Sequence, residues 1–201
     1  MPVALTTKPD PPAPQFPRRK RWTREECATL QASGLWDQQN FELIDGELID
    51  KMGKNRPHVV AVMAVVFWLS DVFGRDRISS EAPIDVAPLD NPSNEPQPDV
   101  VVLKSASQRL RSTTPRPADV ALLVEIADTS LRFDLTVKAR LYARAAIAEY
   151  WVLDLNARRL IVHRDPDPAG YRSVAAYSEF EKVAPQAAPQ SEVSAADLIP
   201  A

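Results

Sequence analysis

The sequence predicts a mixed α/β domain, a mixed central sheet flanked by helices, and three observations carry that prediction. Residues 100–103 and 120–126 are uninterrupted Val/Leu-rich runs, too short for helices and apolar enough for strands buried on both faces. Phe41-Glu-Leu-Ile-Asp45-Gly46-Glu47-Leu-Ile places an Asp-Gly pair between two alternating segments, the strongest hairpin signal in the chain. Residues 57–73 form the longest helical pattern, and Gly74 stops it. A sheet with two apolar faces needs cover on both, so helices are expected on each side.

The elements follow in order. Met1 to Lys20 holds six prolines, no aliphatic periodicity and a basic end, so residues 1–21 are expected to be a disordered arm. One domain should occupy residues 22–182, and the Ala/Pro/Gln/Ser-rich residues 183–201 should form a loosely ordered tail. Thr23-Arg-Glu-Glu26 is a capping box, and its helix should end near Ser33 with Gly34 as left-handed cap. Cys27 shares that helix's inward face with Leu30 and reads as core. In the 57–73 helix Val60, Met63, Ala64, Val66, Phe67 and Val72 supply the expected apolar stripe. His58, at its start, reads as a surface or capping residue rather than a ligand, though it would lie near any site at that end. Residues 78–86 read as a strand broken at Pro83, 88–98 as a turn-rich loop and 104–119 as a basic loop. Asp134 is the expected N-cap of a helix running to about Ala146. Residues 150–154 and 160–163 then form an antiparallel pair.

Composition limits the function. A net charge of −3 argues against a protein that coats nucleic acid through overall positive charge, while leaving room for a local positive groove. The single cysteine rules out an intramolecular disulfide and suits a reducing cytoplasm. No stretch approaches the ~20 apolar residues of a membrane span, so a cytoplasmic protein with no membrane partner is expected. Gly-rich phosphate loops, serine-nucleophile motifs and zinc-protease motifs are missing from the sequence.

Chemistry concentrates between residues 98 and 138. Asp99 opens one buried run, and Glu125 sits inside the other. A carboxylate left unpaired in such surroundings loses several kcal/mol of hydration, so it must be neutral, paired or metal-bound. Adjacent strands would bring the two together, and Lys138, on the next helix, would add a cation.

Several spaced blocks then resemble, in order, the Uma-two family of restriction-endonuclease-like proteins in the PD-(D/E)XK nuclease superfamily. They are Phe41-Glu-Leu-Ile-Asp-Gly-Glu-Leu, Gln97-Pro-Asp-Val-Val-Val, Leu123-Val-Glu-Ile, Asp134 with Lys138-Ala-Arg-Leu-Tyr-Ala, and Glu149-Tyr-Trp-Val-Leu-Asp. The resemblance, spanning residues 23–164, implies a restriction-endonuclease-like core and metal-dependent cleavage of DNA. It places the family's acidic residues on Glu47, Asp99 and Glu125 and its lysine on Lys138. The superfamily's usual lysine position holds Ala127 here.

Phosphodiester hydrolysis needs an activated water and a counter-charge at the phosphate, which Mg²⁺ (or Mn²⁺) on one or two carboxylates supplies. Asp99 and Glu125 are the expected ligands, with the Ile126 backbone carbonyl as a third. Glu47 would bind a second metal or orient a bound water, and Lys138 would deprotonate or position the attacking water. A duplex has two strands, so a homodimer is expected, with Trp36, Trp68 and Trp151 as anchor side chains. The alternative is an inactive nuclease-fold module that binds nucleic acid or a protein.

Overall fold

The computed structural model describes residues 19–34, 41–51, 55–106 and 112–199. Most of the expected N-terminal arm, and Trp36, lie outside the described residues. Helix α1 (Arg24–Ala32) starts at Thr23 with both halves of the capping box formed, ends at Ser33 and buries Cys27. Gly34 follows with φ 76°. Strands β1 (Phe41–Ile44) and β2 (Glu47–Asp50) make the expected hairpin. Asp45 and Gly46 both have positive φ, 48° and 74°, as a tight two-residue turn of this hand requires. A Cβ at position 46 would lie 2.9 Å from that of Arg21, so the close approach also demands glycine.

Helix α2 (Arg56–Phe73) is capped by Asn55, whose side chain accepts the His58 N–H. A six-stranded sheet follows, in the order β3 (Ile78–Ser80), β4 (Val100–Leu103), β5 (Val120–Ala127), β6 (Glu149–Asp154), β7 (Arg159–Asp167), β8 (Gly170–Tyr177). Only β5 and β6 are parallel. A parallel pair needs a crossover, here helices α3 (Leu131–Phe133) and α4 (Ala139–Arg144) joined by a π-helical turn over Asp134–Lys138.

Strand alternation splits the interior into two layers. Val100, Val102, Leu122, Val124 and Ile126 face α2, whereas Val101, Leu103, Leu123 and Ala127 face the side covered by the hairpin and α4. Glu125 and Asp99, in the same alternation, belong to the second side.

Four local expectations are corrected. The 78–86 strand is only three residues long, because the chain leaves the sheet at Glu81 (φ 55°) before reaching Pro83. The helix expected to start at Asp134 starts at Leu131 instead, after Ser130. On α2 the buried residues are Ala61, Val62, Val65, Leu69 and Phe73, while Val60 (37 %), Met63 (43 %) and Phe67 (60 %) are exposed. That helix is apolar all round and, by length and composition, could cross a membrane; here one side packs on the sheet. Residues 183–199 are not loose. β9 (Lys182–Val183) pairs with β10 (Val193–Ser194), α5 (Ala195–Leu198) follows, and Val183, Ala188, Val193, Leu198 and Ile199 join the core against α2.

Candidate active site

The register of β4 on β5 sets Val100 opposite Val124. Continued by one residue, it sets Asp99 opposite Glu125 on the same face. Both are buried, at 4 % and 3 % exposure. Asp99 Oδ2 accepts the Ile126 backbone N–H at 2.8 Å and lies 3.4 Å from His58 Nε2. Burial alone would raise its pKa, but the His58 and Ile126 hydrogen bonds hold it below the ordinary carboxylate value.

Lys138 reaches the same place from the π turn. Its Nζ donates to Glu125 Oε1 at 2.9 Å and lies 2.8 Å from Glu42 Oε1 and 3.9 Å from Asp134 Oδ1. The turn is defined by the Ala139 N–H, which bonds Asp134 O five residues back. Asp134 and Lys138 are both buried, and such turns recur at functional sites. Ser130 Oγ donates to Asp134 Oδ2 at 2.6 Å, and the Tyr150 hydroxyl donates to Asp134 O at 3.2 Å, pinning the turn to β6. The Tyr142 hydroxyl donates to Glu125 Oε1 at 3.0 Å.

The cluster has more acid than base. Burial, with Asp99, Asp134 and Glu42 adding to it and Lys138 opposing it, pushes Glu125 up to about 8. Burial also pushes Asp134 up to about 6, against Lys138 and Ser130. Lys138 is raised too, but by the opposite cause: burial would strip its proton, and Glu125, Glu42 and Asp134 outweigh burial. Lys138 keeps its charge, and the excess proton of the cluster rests on Glu125.

Asp99, Glu125, Ile126 and Lys138 therefore line one cleft of about 390 Å³, together with Glu42, His58 and Asp134. Glu47 does not. It is exposed and pairs with Ile44 beside the hairpin turn, about 7 Å along the strand from the Glu42–Ile49 pair at 3.3–3.4 Å per residue. Glu42, Ile49 and Asp50 are the hairpin residues that line the cleft; Asp50 is exposed, whereas Glu42 is buried and lies 2.8 Å from Lys138, so Glu42 stands in the cluster where Glu47 was expected. Sequence spacing offered two glutamates around one turn and no means of choosing between them. His58, read from sequence as a surface or capping residue near any site at that end of its helix, does line the cleft; Asp134 was missed as a buried member of the cluster.

Among the described residues no group of three or more His, Cys, Asp or Glu side chains is set to enclose a metal ion. The donor set does fit a hard divalent cation that keeps several waters and uses only one or two carboxylates. Asp99 is held ionised, and Glu125 shares the Lys138 ammonium with Glu42 and Asp134, which leaves the cluster with more acid than that one cation balances. A second concavity of about 710 Å³ lies at the opposite end of the sheet, but Arg24 and Arg144 in its wall are already paired with Asp85 and Asp90.

The model of the Uma2 family, described as “Putative restriction endonuclease”, matches residues 26–196. A crystal structure of a “putative nuclease belonging to DUF820” from Anabaena variabilis ATCC 29413 superimposes with a TM-score of 0.60 at 18% identity, covering 79% of this chain and 88% of that one. At that identity the likeness shows the fold. No curated protein matches the chain.

Proposed function

Because the chain belongs to the Uma2 family, we propose that it is a metal-dependent endonuclease hydrolysing phosphodiester bonds of DNA. The observation that supports this best is the convergence of buried Asp99 and Glu125 on opposed strands, with Lys138 bonded to Glu125. Asp99 and Glu125 would hold Mg²⁺ or Mn²⁺, with the Ile126 carbonyl as the proposed third oxygen. When bound, the ion would supply charge neutralisation at the phosphate and a more acidic water. Asp99 enters already ionised. Glu125 must give up its proton, and Tyr142 and Lys138 fix the rotamer in which it does so. Lys138, whose charge is favoured by the acidic groups around it, is unsuited to the base role expected from sequence. It acts as a fixed cation that orients Glu125 and offsets negative charge developing at the reacting phosphate.

The proposal includes a cytoplasmic homodimer that does not engage a membrane. Each chain carries one acidic cleft for a two-stranded substrate. Trp68 and Trp151, expected as anchors, stack on each other at 6.0 Å, Trp151 buried and Trp68 partly buried against the core. Exposed apolar residues gather instead on α2, at Val59, Val60, Met63 and Phe67, with Leu89, Val174 and Phe180 exposed elsewhere, and sedimentation of the full chain tests the dimer.

A second reading, a catalytically silent nuclease-fold binding module, draws on one observation. Lys138 is already paired with both Glu125 and Glu42, as a purely structural cluster would require. Cleavage of plasmid and single-stranded DNA with Mg²⁺ and Mn²⁺ separates the two. The nuclease reading expects cutting that Asp99→Ala and Glu125→Ala each abolish and Lys138→Ala slows roughly 10²–10³-fold. DNA binding without cutting by the wild-type chain selects the module.

A further inference from the structure

His58 is the third residue of α2, and its backbone N–H donates to Asn55 Oδ1 at 3.0 Å. Asn55 therefore does the capping, and the imidazole is left for another task. A side chain at this point of a helix leans back toward the N-terminus, which here carries it into the acidic cleft. It is only 13 % exposed, with Nε2 3.4 Å from Asp99 Oδ2. Nδ1 is buried and has no hydrogen-bond partner among the described residues.

That asymmetry assigns the tautomer. Nε2 faces a carboxylate oxygen and Nδ1 faces no donor, so the proton belongs on Nε2. Asp99 Oδ2 then receives two donors from different elements, the Ile126 N–H of β5 and the His58 imidazole of α2. Two donors from separate elements hold that oxygen from two directions. A residue present only for packing would not leave a buried ring nitrogen unsatisfied, since an apolar side chain fills the space without that cost.

We propose that His58 is a positioning residue of the cleft, orienting Asp99 toward the divalent cation that Asp99 and Glu125 hold. The assignment rests on the metal-centre reading above. Partners that orient ligating carboxylates and histidines typically change metal affinity by 10–100-fold when removed. Loss of His58 should be felt at that scale, and a side chain that restores an N–H donor should restore part of it.

The test is Mn²⁺ binding by the full-length chain, followed as loss of the free-ion paramagnetic resonance signal, for wild type, His58→Ala and His58→Gln. Thermal midpoints in EDTA show whether each variant is folded. The expected result is a 10–100-fold weaker Kd in His58→Ala and recovery of most of that loss in His58→Gln. Equal affinity in wild type and His58→Ala would overturn the positioning role while leaving the metal centre standing. Equal losses in both folded variants would also overturn it. A wild-type chain that takes up no Mn²⁺ would overturn the metal-centre reading and this assignment with it.

Discussion

Glutamine at position 125 would remove the charge of that side chain and keep its shape, isolating the cost of ionising it inside the cleft. Burial moves the Glu125 carboxyl from its ordinary 4.5 to about 8. The folded chain holds a proton that the unfolded chain has already released, so stability falls as pH rises from about 4.5 to about 8 and levels off beyond. Between pH 6 and 8 this amounts to up to two units at about 1.4 kcal/mol each, or roughly 2–3 kcal/mol. Neighbours add little in that window. Asp134, raised to about 6, contributes its own loss mainly below pH 6. Lys138, raised above its ordinary 10.5, stays protonated throughout, and Asp99, lowered below 3.8, titrates only under more acidic conditions. Urea unfolding in EDTA at pH 6, 7 and 8, read by tryptophan fluorescence from buried Trp151, measures the effect. Wild type should lose about 2 kcal/mol across the range, while Glu125→Gln stays nearly flat and ends more stable at pH 8. In a chain of this size that is about 4–8 °C in Tm. Parallel pH profiles for the two proteins would refute the assignment of the excess proton to Glu125.

Metal uptake should carry the same proton. Mg²⁺ added at pH 7 in weak buffer should release about one proton per bound ion, read with an indicator dye, and almost none at pH 9.5. Glu42→Gln should slow cleavage at least tenfold, and Glu47→Gln should leave it within twofold; the reverse order in a plasmid assay would return Glu47 to the site. Leu198→Ala should cost about 2–4 kcal/mol by urea unfolding, whereas a loose tail would show less than about 0.5.

The parts of this molecule that were legible in its sequence share a physical cause. β4 and β5 are covered on both faces, and such strands must be continuously apolar, which makes them visible and makes Asp99 and Glu125 conspicuous within them. The Thr23 box and the Asp45-Gly46 turn are local chemistry and hold locally. What stayed hidden depends on docking. α2 is apolar over most of its circumference, so periodicity picked Val66 and Val72, which pack on the core, together with Val60, Met63 and Phe67, which do not. The hairpin offers Glu42 and Glu47 on one face, and only its docking on the domain, which includes the Leu43–Glu95 bridge, decides which of them meets the cleft. In the C-terminal segment, Val183, Ala188, Val193 and Leu198 fall five apart, a spacing that matches neither helix nor strand. In β8, Gly170–Tyr177, most residues are exposed, so no alternation marks it.

The π turn at Asp134–Lys138 makes this cleft sensitive to chain length in a way no substitution would reveal. A π turn is a helix with one residue more than an α-helical turn needs, and exposed Thr136 occupies its middle. Deleting that one residue would let the segment close as ordinary α-helix without breaking its hydrogen-bond ladder. Each helical residue advances the chain by about 100°, so the two ends would rotate against each other by that angle. With α4 anchored by buried Leu141 and Tyr142, Asp134 and Ser130 would turn out of the cleft while Lys138 stayed. The result would be a shortened, well-formed helix carrying a dismantled acidic cluster.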